Sequence, residues 1–241
     1  MTEEKKKGVR LTERDLRIII WVNSHRMVTV EQVRKKFNMS FLAAKKRMYE
    51  LRTVEYLVYD KVFQSKPGVY RATSKGVAVT NDELPTCKIR LGSYEHDLAL
   101  VDLAIELEQK QGACWITDRQ VRHQKGITGV GTKGHSPDGI LEFPSGEKIA
   151  VELELSAKGT NRLENILKYY AKSHYKEVWY FVKSDAIAAK IQAFNSSLIR
   201  VFSLSDMIEF KHQPNSNVQT DSAIIPKKSE EEKAKDFFRR K

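Results

Sequence analysis

Leu16, Ile19, Ile20 and Asn23 recur at helical spacing, and Trp21 and Val22 widen the apolar side. Thr12 is placed to cap this segment, with Glu13 and Asp15 in the first turn. A helix is therefore predicted from there to about residues 24–26. Thr29 caps a shorter helix over residues 30–37, with Val33 and Phe37 inward. Asn38-Met39 makes a short turn, and Ser40 caps a third helix to about Thr53, with Leu42, Met48 and Leu51 as core contacts. The pattern then changes. Residues 56–63 read as a strand, Ser65-Lys66-Pro67-Gly68 as a turn and residues 69–73 as the returning strand.

Three helices, the last two joined by a tight turn, and then a hairpin are the parts of a winged helix-turn-helix. Tyr70-Arg71-Ala72-Thr73-Ser74-Lys75-Gly76 resembles the strand-to-Thr-x-x-Gly ending of such domains, which places this unit over residues 11–80. Residues 81–92, with Asn81-Asp82-Glu83-Leu84-Pro85, read as a linker. A second α/β unit follows over residues 93–211. It opens with a helix from about Ser93 to Gln111, carrying Leu98, Val101, Leu103, Ile105 and Leu107 and stopping at Gly112. Strands are predicted over residues 114–117, 137–143, 148–155, 178–182 and 198–202, and helices over 162–173 and 186–194. Residues 123–134 read as a glycine-rich loop. They lack the Gly-Lys-Ser/Thr ending of a P-loop. Residues 212–225 read as a flexible polar linker. The rest of the tail, to residue 241, reads as a frayed terminus or, alternatively, as a short terminal helix with Phe237 and Phe238 that docks on a partner protein.

The chain has 241 residues, 42 Lys/Arg and 31 Asp/Glu, for a net charge of +11. Residues 1–92, including a basic arm over 1–10, hold 20 of those cations against 10 acids; the remainder is nearly balanced. A basic unit joined to a near-neutral one points to a polyanion held by the first. In a winged helix the third helix enters the major groove. Ser40, Lys45, Lys46 and Arg47 are the groove candidates, and Arg34, Lys35 and Lys36 end the helix before. Lys61, Lys66 and Arg71 would meet a neighbouring phosphate or the minor groove from the wing. The partner so read is double-stranded DNA, and its binding requires no cofactor.

In the second unit, Pro137-Asp138 lies across a hairpin turn from Glu152-x-Glu154. Strand alternation puts Glu152 and Glu154 on one face, where Asp138 can join them. Such carboxylates are candidates for Mg²⁺ or Mn²⁺, with Asp138 and Glu152 as ligands. With the order of helices and strands, they resemble the PD-(D/E)xK nuclease fold. That resemblance implies two metal-holding acids and a lysine that helps activate water. Asp138 and Glu152 match the acids, but Glu154 stands where the lysine belongs. This removes cationic stabilisation of the phosphate. Lys168 on the following helix, or Lys158 just past the strand, is a relocated lysine. If the unit is active, the catalytic set is Asp138, Glu152, Glu154 and Lys168.

Winged helix, Tyr94-Glu95-His96-Asp97, Pro-Asp and Glu-x-Glu together resemble the replication-relaxation family of plasmids and conjugative elements over about residues 11–205. The resemblance implies an accessory protein for plasmid replication or mobilisation. It binds duplex DNA and recruits a relaxase, helicase, replication protein or second copy of itself through an inactive nuclease-like unit. The alternatives are a metal-dependent endonuclease and a transcriptional regulator. The bland reading of Glu152 and Glu154 is solvent-face patterning. His96 with Asp97 reads as a polar network, and His135 lies near enough in sequence to approach the acids. Trp115, Trp179, Tyr180 and Phe181 read as sheet core. Cys87 and Cys114 read as plain thiols in a reduced, cytoplasmic setting. No apolar run approaches the roughly 18 residues of a membrane span, and residues 1–7 lack the apolar stretch of a signal peptide.

Overall fold

The computed structural model describes residues 10–126 and 135–205. The arm before Arg10, the core of the glycine-rich stretch and the tail from residue 206, including its expected terminal helix, lie outside the described residues.

The chain is a mixed α/β protein. Helices α1 (Glu13–Ser24), α2 (Val30–Lys36) and α3 (Phe41–Thr53) lead into an antiparallel pair, β1 (Leu57–Asp60) and β2 (Val69–Ala72). These are the elements expected of a winged helix, in the expected order. Each helix starts on a side chain that satisfies the free N–H groups of its first turn or anchors the residue before it. The Thr12 amide and hydroxyl both donate to Asp15 Oδ2, at 2.7 and 2.5 Å. Thr29 and Gln32 form a reciprocal capping box, and Ser40 Oγ accepts from the Ala43 amide at 3.2 Å. The Thr-x-x-Gly phrase opens a further helix, α4 (Ser74–Thr80). Thr73 Oγ1 donates to the Glu55 carbonyl and accepts from the Gly76 amide. A Cβ on Gly76 would lie 2.1 Å from the Tyr56 carbonyl oxygen, so the last position of the phrase has no room for a side chain.

One core contact is corrected. Leu42 is 77% exposed. Ala44, Met48 and Leu51 face the core from α3, and Leu42 stands about 200° around the helix from Ala44.

Residues 81–92 hold no regular element beyond the start of a 3₁₀ turn, Leu91–Ser93, but are strapped down. The buried Asn23 amide donates to the Leu84 carbonyl at 2.6 Å and to Asp82 at 3.0 Å. Next come α5 (Tyr94–Gln111), β3 (Cys114–Thr117), α6 (Asp118–Gln124), β4 (Gly139–Glu142), β5 (Lys148–Glu154), α7 (Thr160–Tyr170), β6 (Glu177–Val182), α8 (Asp185–Gln192) and β7 (Ile199–Ser203). The five strands form one sheet in chain order; the first three are antiparallel, and β5, β6 and β7 run parallel. Helix α6 was not predicted. Thr117 and Gln120 cap it, a signal read as the end of a strand.

The sheet is covered on both faces. Leu103, Ala104 and Leu107 of α5 pack with Trp115, Leu141, Val151 and Trp179 on one side. Leu163, Ile166 and Tyr170 of α7, with Ile187 and Ile191 of α8, pack on Ala150, Val178 and Tyr180 on the other. A second stripe on α5, Val101 and Ile105, belongs to the core of the N-terminal helices. One helix therefore serves two cores. Trp115, Trp179, Tyr180 and Phe181 are buried as expected, and no disulfide joins Cys87 to Cys114. Among the described residues no helix is long and apolar enough to cross a membrane.

Candidate functional site

The basic residues of the N-terminal unit divide by partner. Lys45 and Lys46 lie on the exposed face of α3 with Ser40, Phe41, Leu42 and Tyr49, and neither lysine has an ion-pair partner among the described residues. Arg47 points the other way. Its guanidinium grips Asp15, which is fully buried, and reaches Glu50 at 2.7 Å. Burial alone would raise the Asp15 pKa, but hydrogen bonds from Arg47 and Thr12 and the Arg47 charge hold it below its ordinary value. The placement of Arg47 in the groove is therefore corrected: its neighbour Met48 is core, and it turns inward with it.

The remaining candidates have internal partners. Arg34 binds Glu31 one helical turn back, and Lys36 reaches across to Glu108 of α5 at 2.6 Å. The Lys35 carbonyl accepts from Gln109, while its ammonium has no ion-pair partner among the described residues. On the hairpin, Arg71 binds Asp60 at 2.8 Å and the Cys87 carbonyl at 3.1 Å. Lys61 donates to the Lys66 carbonyl, and Lys66 pairs with Glu95 at the start of α5 while lying over the Phe63 ring. The Lys66–Glu95 and Arg34–Glu31 pairs are solvent-exposed, and such pairs exchange partners at little cost.

Glu152 and Glu154 lie towards the end of β5, but not on a solvent face. Glu152 is 1% exposed and Glu154 4%. Both project from the α7 side of a sheet covered on each face, so strand alternation reports a face without saying whether water reaches it. Gly139 opposes Val151 in the hairpin, which sets Asp138 beside Glu152. A Cβ at Gly139 would run into the Trp115 ring at 1.9 Å, so only glycine lets these strands pair over that tryptophan.

Each acid already has a donor. His96 Nε2 lies 3.2 Å from Asp138 Oδ2 and 3.1 Å from the Leu153 carbonyl, and the Leu153 amide donates to the same Asp138 oxygen at 2.9 Å. Burial alone would lower the His96 pKa; hydrogen bonds and charges from Asp138 and Asp97 outweigh it and push it up to about 10. His96 is thus an imidazolium at neutral pH. Burial likewise pulls Asp138 upward, and His96 with the Leu153 amide brings it below its ordinary value. Glu152 Oε1 accepts from the Tyr170 hydroxyl and lies 2.6 Å from His135 Nε2. Glu154 is raised by burial, partly offset by Lys158, which pairs with it and sits 3.8 Å from Glu152.

Lys168 takes no part; it is exposed on α7, and Lys158 occupies the place by the acids. His135, read as a residue that could approach the acids, is in contact. Tyr170 was not foreseen: a tyrosine in an amphipathic helix reads as core and gives no sign of the carboxylate beneath it. A divalent ion needs several open oxygen ligands. Here all three acids are engaged by donors, and no group of three His, Cys, Asp or Glu residues among the described residues is arranged to hold a metal. The residues present do not fit the expected Mg²⁺ or Mn²⁺ site.

No known family and no curated protein matches the chain. Among solved structures it is similar to a mutant of Lactococcus lactis ZitR, at 17% identity over 52% of this chain and 77% of that one, with a TM-score of 0.28. It is also similar to wild-type ZitR in complex with DNA, at 15% identity over 52% and 75%, again with a TM-score of 0.28. Likeness at that level defines neither fold nor function.

Proposed function

We propose that this chain is a duplex-DNA-binding accessory protein whose N-terminal winged helix reads DNA through α3. The observation that carries the reading is the contrast on that helix. Lys45 and Lys46 stand exposed beside Ser40 without ion-pair partners among the described residues, while the next cation, Arg47, is committed to the fold. Two such ammonium groups at the middle of a helix that presents one face to solvent suit the phosphates flanking a major groove. Leu42 and Phe41, exposed at the N-terminal end of the same helix, are suited to apolar contact with thymine methyl groups. Lys66 reaches phosphate by leaving Glu95.

The role we assign is support of replication or mobilisation of a plasmid or conjugative element, with the sheet unit as a scaffold for protein partners. The neutralised carboxylate cluster favours a scaffold over a nuclease. The test is duplex binding by full-length protein over a range of salt concentrations. Lys45→Glu with Lys46→Glu should abolish most of the affinity without lowering the melting temperature. Undiminished binding by that variant removes the assignment of α3. Metal-dependent plasmid cleavage that Asp138→Ala abolishes would replace the scaffold reading with the endonuclease.

A further inference from the structure

We propose that the sheet unit carries a second nucleic-acid site, for a single strand, in the two hollows on either side of Tyr169. This site is independent of the α3 interface. One hollow, of about 530 Å³, lies against α7 and is lined by His135, Asn161, Arg162 and Asn165. The other, of about 390 Å³, is lined by Lys125, Lys148, Lys172, His174 and Tyr175. Tyr169 belongs to both and forms the partition between them. Each hollow falls within the roughly 300–1,000 Å³ of small-ligand sites and admits one nucleotide.

The chemistry of the walls identifies the occupant. No acidic side chain lines either hollow among the described residues. Arg162, in the first turn of α7, and Lys172, two residues past its end, are exposed, and neither has an ion-pair partner among the described residues. Of the lining lysines and arginine, Lys148 is the one ion-paired among the described residues, with Glu142 at 3.0 Å. Cations at both mouths with an aromatic ring between are the parts of a single-strand site: phosphates follow the charges and bases stack on the ring. The ring is held in place before any ligand arrives. His135 and Tyr170 both pack against it at steep interplanar angles with centroids 5.4 Å away. Asn161 and Asn165 offer amides to base edges in the larger hollow. Paired bases cannot stack on a protein ring, so a duplex is not the occupant.

The experiment is fluorescence anisotropy of full-length protein with labelled oligothymidylate and oligouridylate of about 12 nucleotides, a hairpin duplex and thymidine monophosphate as competitor. Wild-type protein should bind an oligonucleotide. Tyr169→Ala should weaken that binding by about 5- to 150-fold, the loss expected for removing one stacking surface, and Tyr169→Phe should restore it. Arg162→Glu with Lys172→Glu, at exposed positions that leave the core intact, should weaken it as well and flatten its salt dependence. All of these variants should keep their duplex affinity, and Lys45→Glu with Lys46→Glu should keep oligonucleotide affinity. A preference between thymidylate and uridylate tells DNA from RNA as the source of the strand. The proposal is overturned if neither oligonucleotide binds, if the Arg162/Lys172 variant binds as wild type does, or if the mononucleotide binds as tightly as the oligomers.

Discussion

Replacing Arg47 by alanine separates a structural cation from its exposed neighbours Lys45 and Lys46. The guanidinium neutralises Asp15, which has no solvent exposure, and ties α1 to α3 through bonds to both carboxylate oxygens. It also donates to the Arg10 carbonyl at 3.0 Å. Without it, a buried carboxylate keeps only the Thr12 amide and hydroxyl. Removing one member of such a pair costs about 3–5 kcal/mol, because the remaining charge is stranded away from water. For a chain of this size that lowers the melting temperature by about 6–20 °C. Thermal unfolding followed by circular dichroism measures it. Asp15→Asn with Arg47→Met, which removes both charges, should recover part of the loss. Duplex affinity below the melting point should stay close to wild type. If Arg47→Ala melts with the wild type and instead loses DNA binding as the Lys45/Lys46 variant does, Arg47 belongs to the groove and the division of cations on α3 is wrong.

For Lys45→Glu with Lys46→Glu, the slope of log affinity against log salt should become shallower by about 2, near 0.9 for each phosphate that is no longer neutralised; an unchanged slope means these lysines touch no phosphate. Lys158→Ala should destabilise the fold by about 3–5 kcal/mol by leaving Glu154 buried without its paired cation, whereas Lys168→Ala should leave the denaturant midpoint in place. His25 gives a pH prediction. Burial pushes its pKa from its ordinary 6.5 down to about 4, so its stability contribution is full above 6.5 and lost as pH falls towards 4. In that window His25→Gln should show a flatter fall in melting temperature with decreasing pH than wild type, and parallel curves would refute the buried neutral imidazole.

The elements legible in the sequence are those with a local signal. Caps at Thr12, Thr29 and Ser40 mark helix starts because a hydroxyl, amide or carboxylate three residues away settles the backbone groups involved. The hairpins were legible from their turns. The failures share one cause: a residue's direction depends on what packs around it. Leu42 is as apolar as Leu51, and only the bundle decides that one faces water. Arg47 adjoins Lys46 in the chain but lies 100° further around the helix, over a buried Asp15 that no periodicity associates with it. Glu152 and Glu154 have the alternation of an exposed strand face, but Tyr170 of α7 covers the first and Lys158 pairs with the second. The catalytic set expected from sequence takes Lys168 rather than Lys158, yet the short link from β5 to α7 turns only Lys158 back over the acids.

Helix α5 explains why the two units cannot be treated as beads on a linker. Its apolar positions overfill a single amphipathic stripe because they form two, Val101 and Ile105 towards the N-terminal helices and Leu103, Ala104 and Leu107 towards the sheet. Polar contacts follow the same division. Gln32 donates to the Leu98 carbonyl, Lys36 pairs with Glu108, and Arg26, in a left-handed conformation just past the end of α1, places its guanidinium on both oxygens of Asp118. Of the basic end of α2, the Lys36 side chain is therefore spent on holding the units together, while Arg34 pairs within its own helix. Among the candidate cations, Lys35, Lys45 and Lys46 are left without ion-pair partners among the described residues, a smaller surface than the net charge implies. The position of Tyr169 relative to α3 is likewise set by packed helices and strands. On the two proposals, a duplex on α3 and a strand at Tyr169 would be held in a fixed mutual geometry.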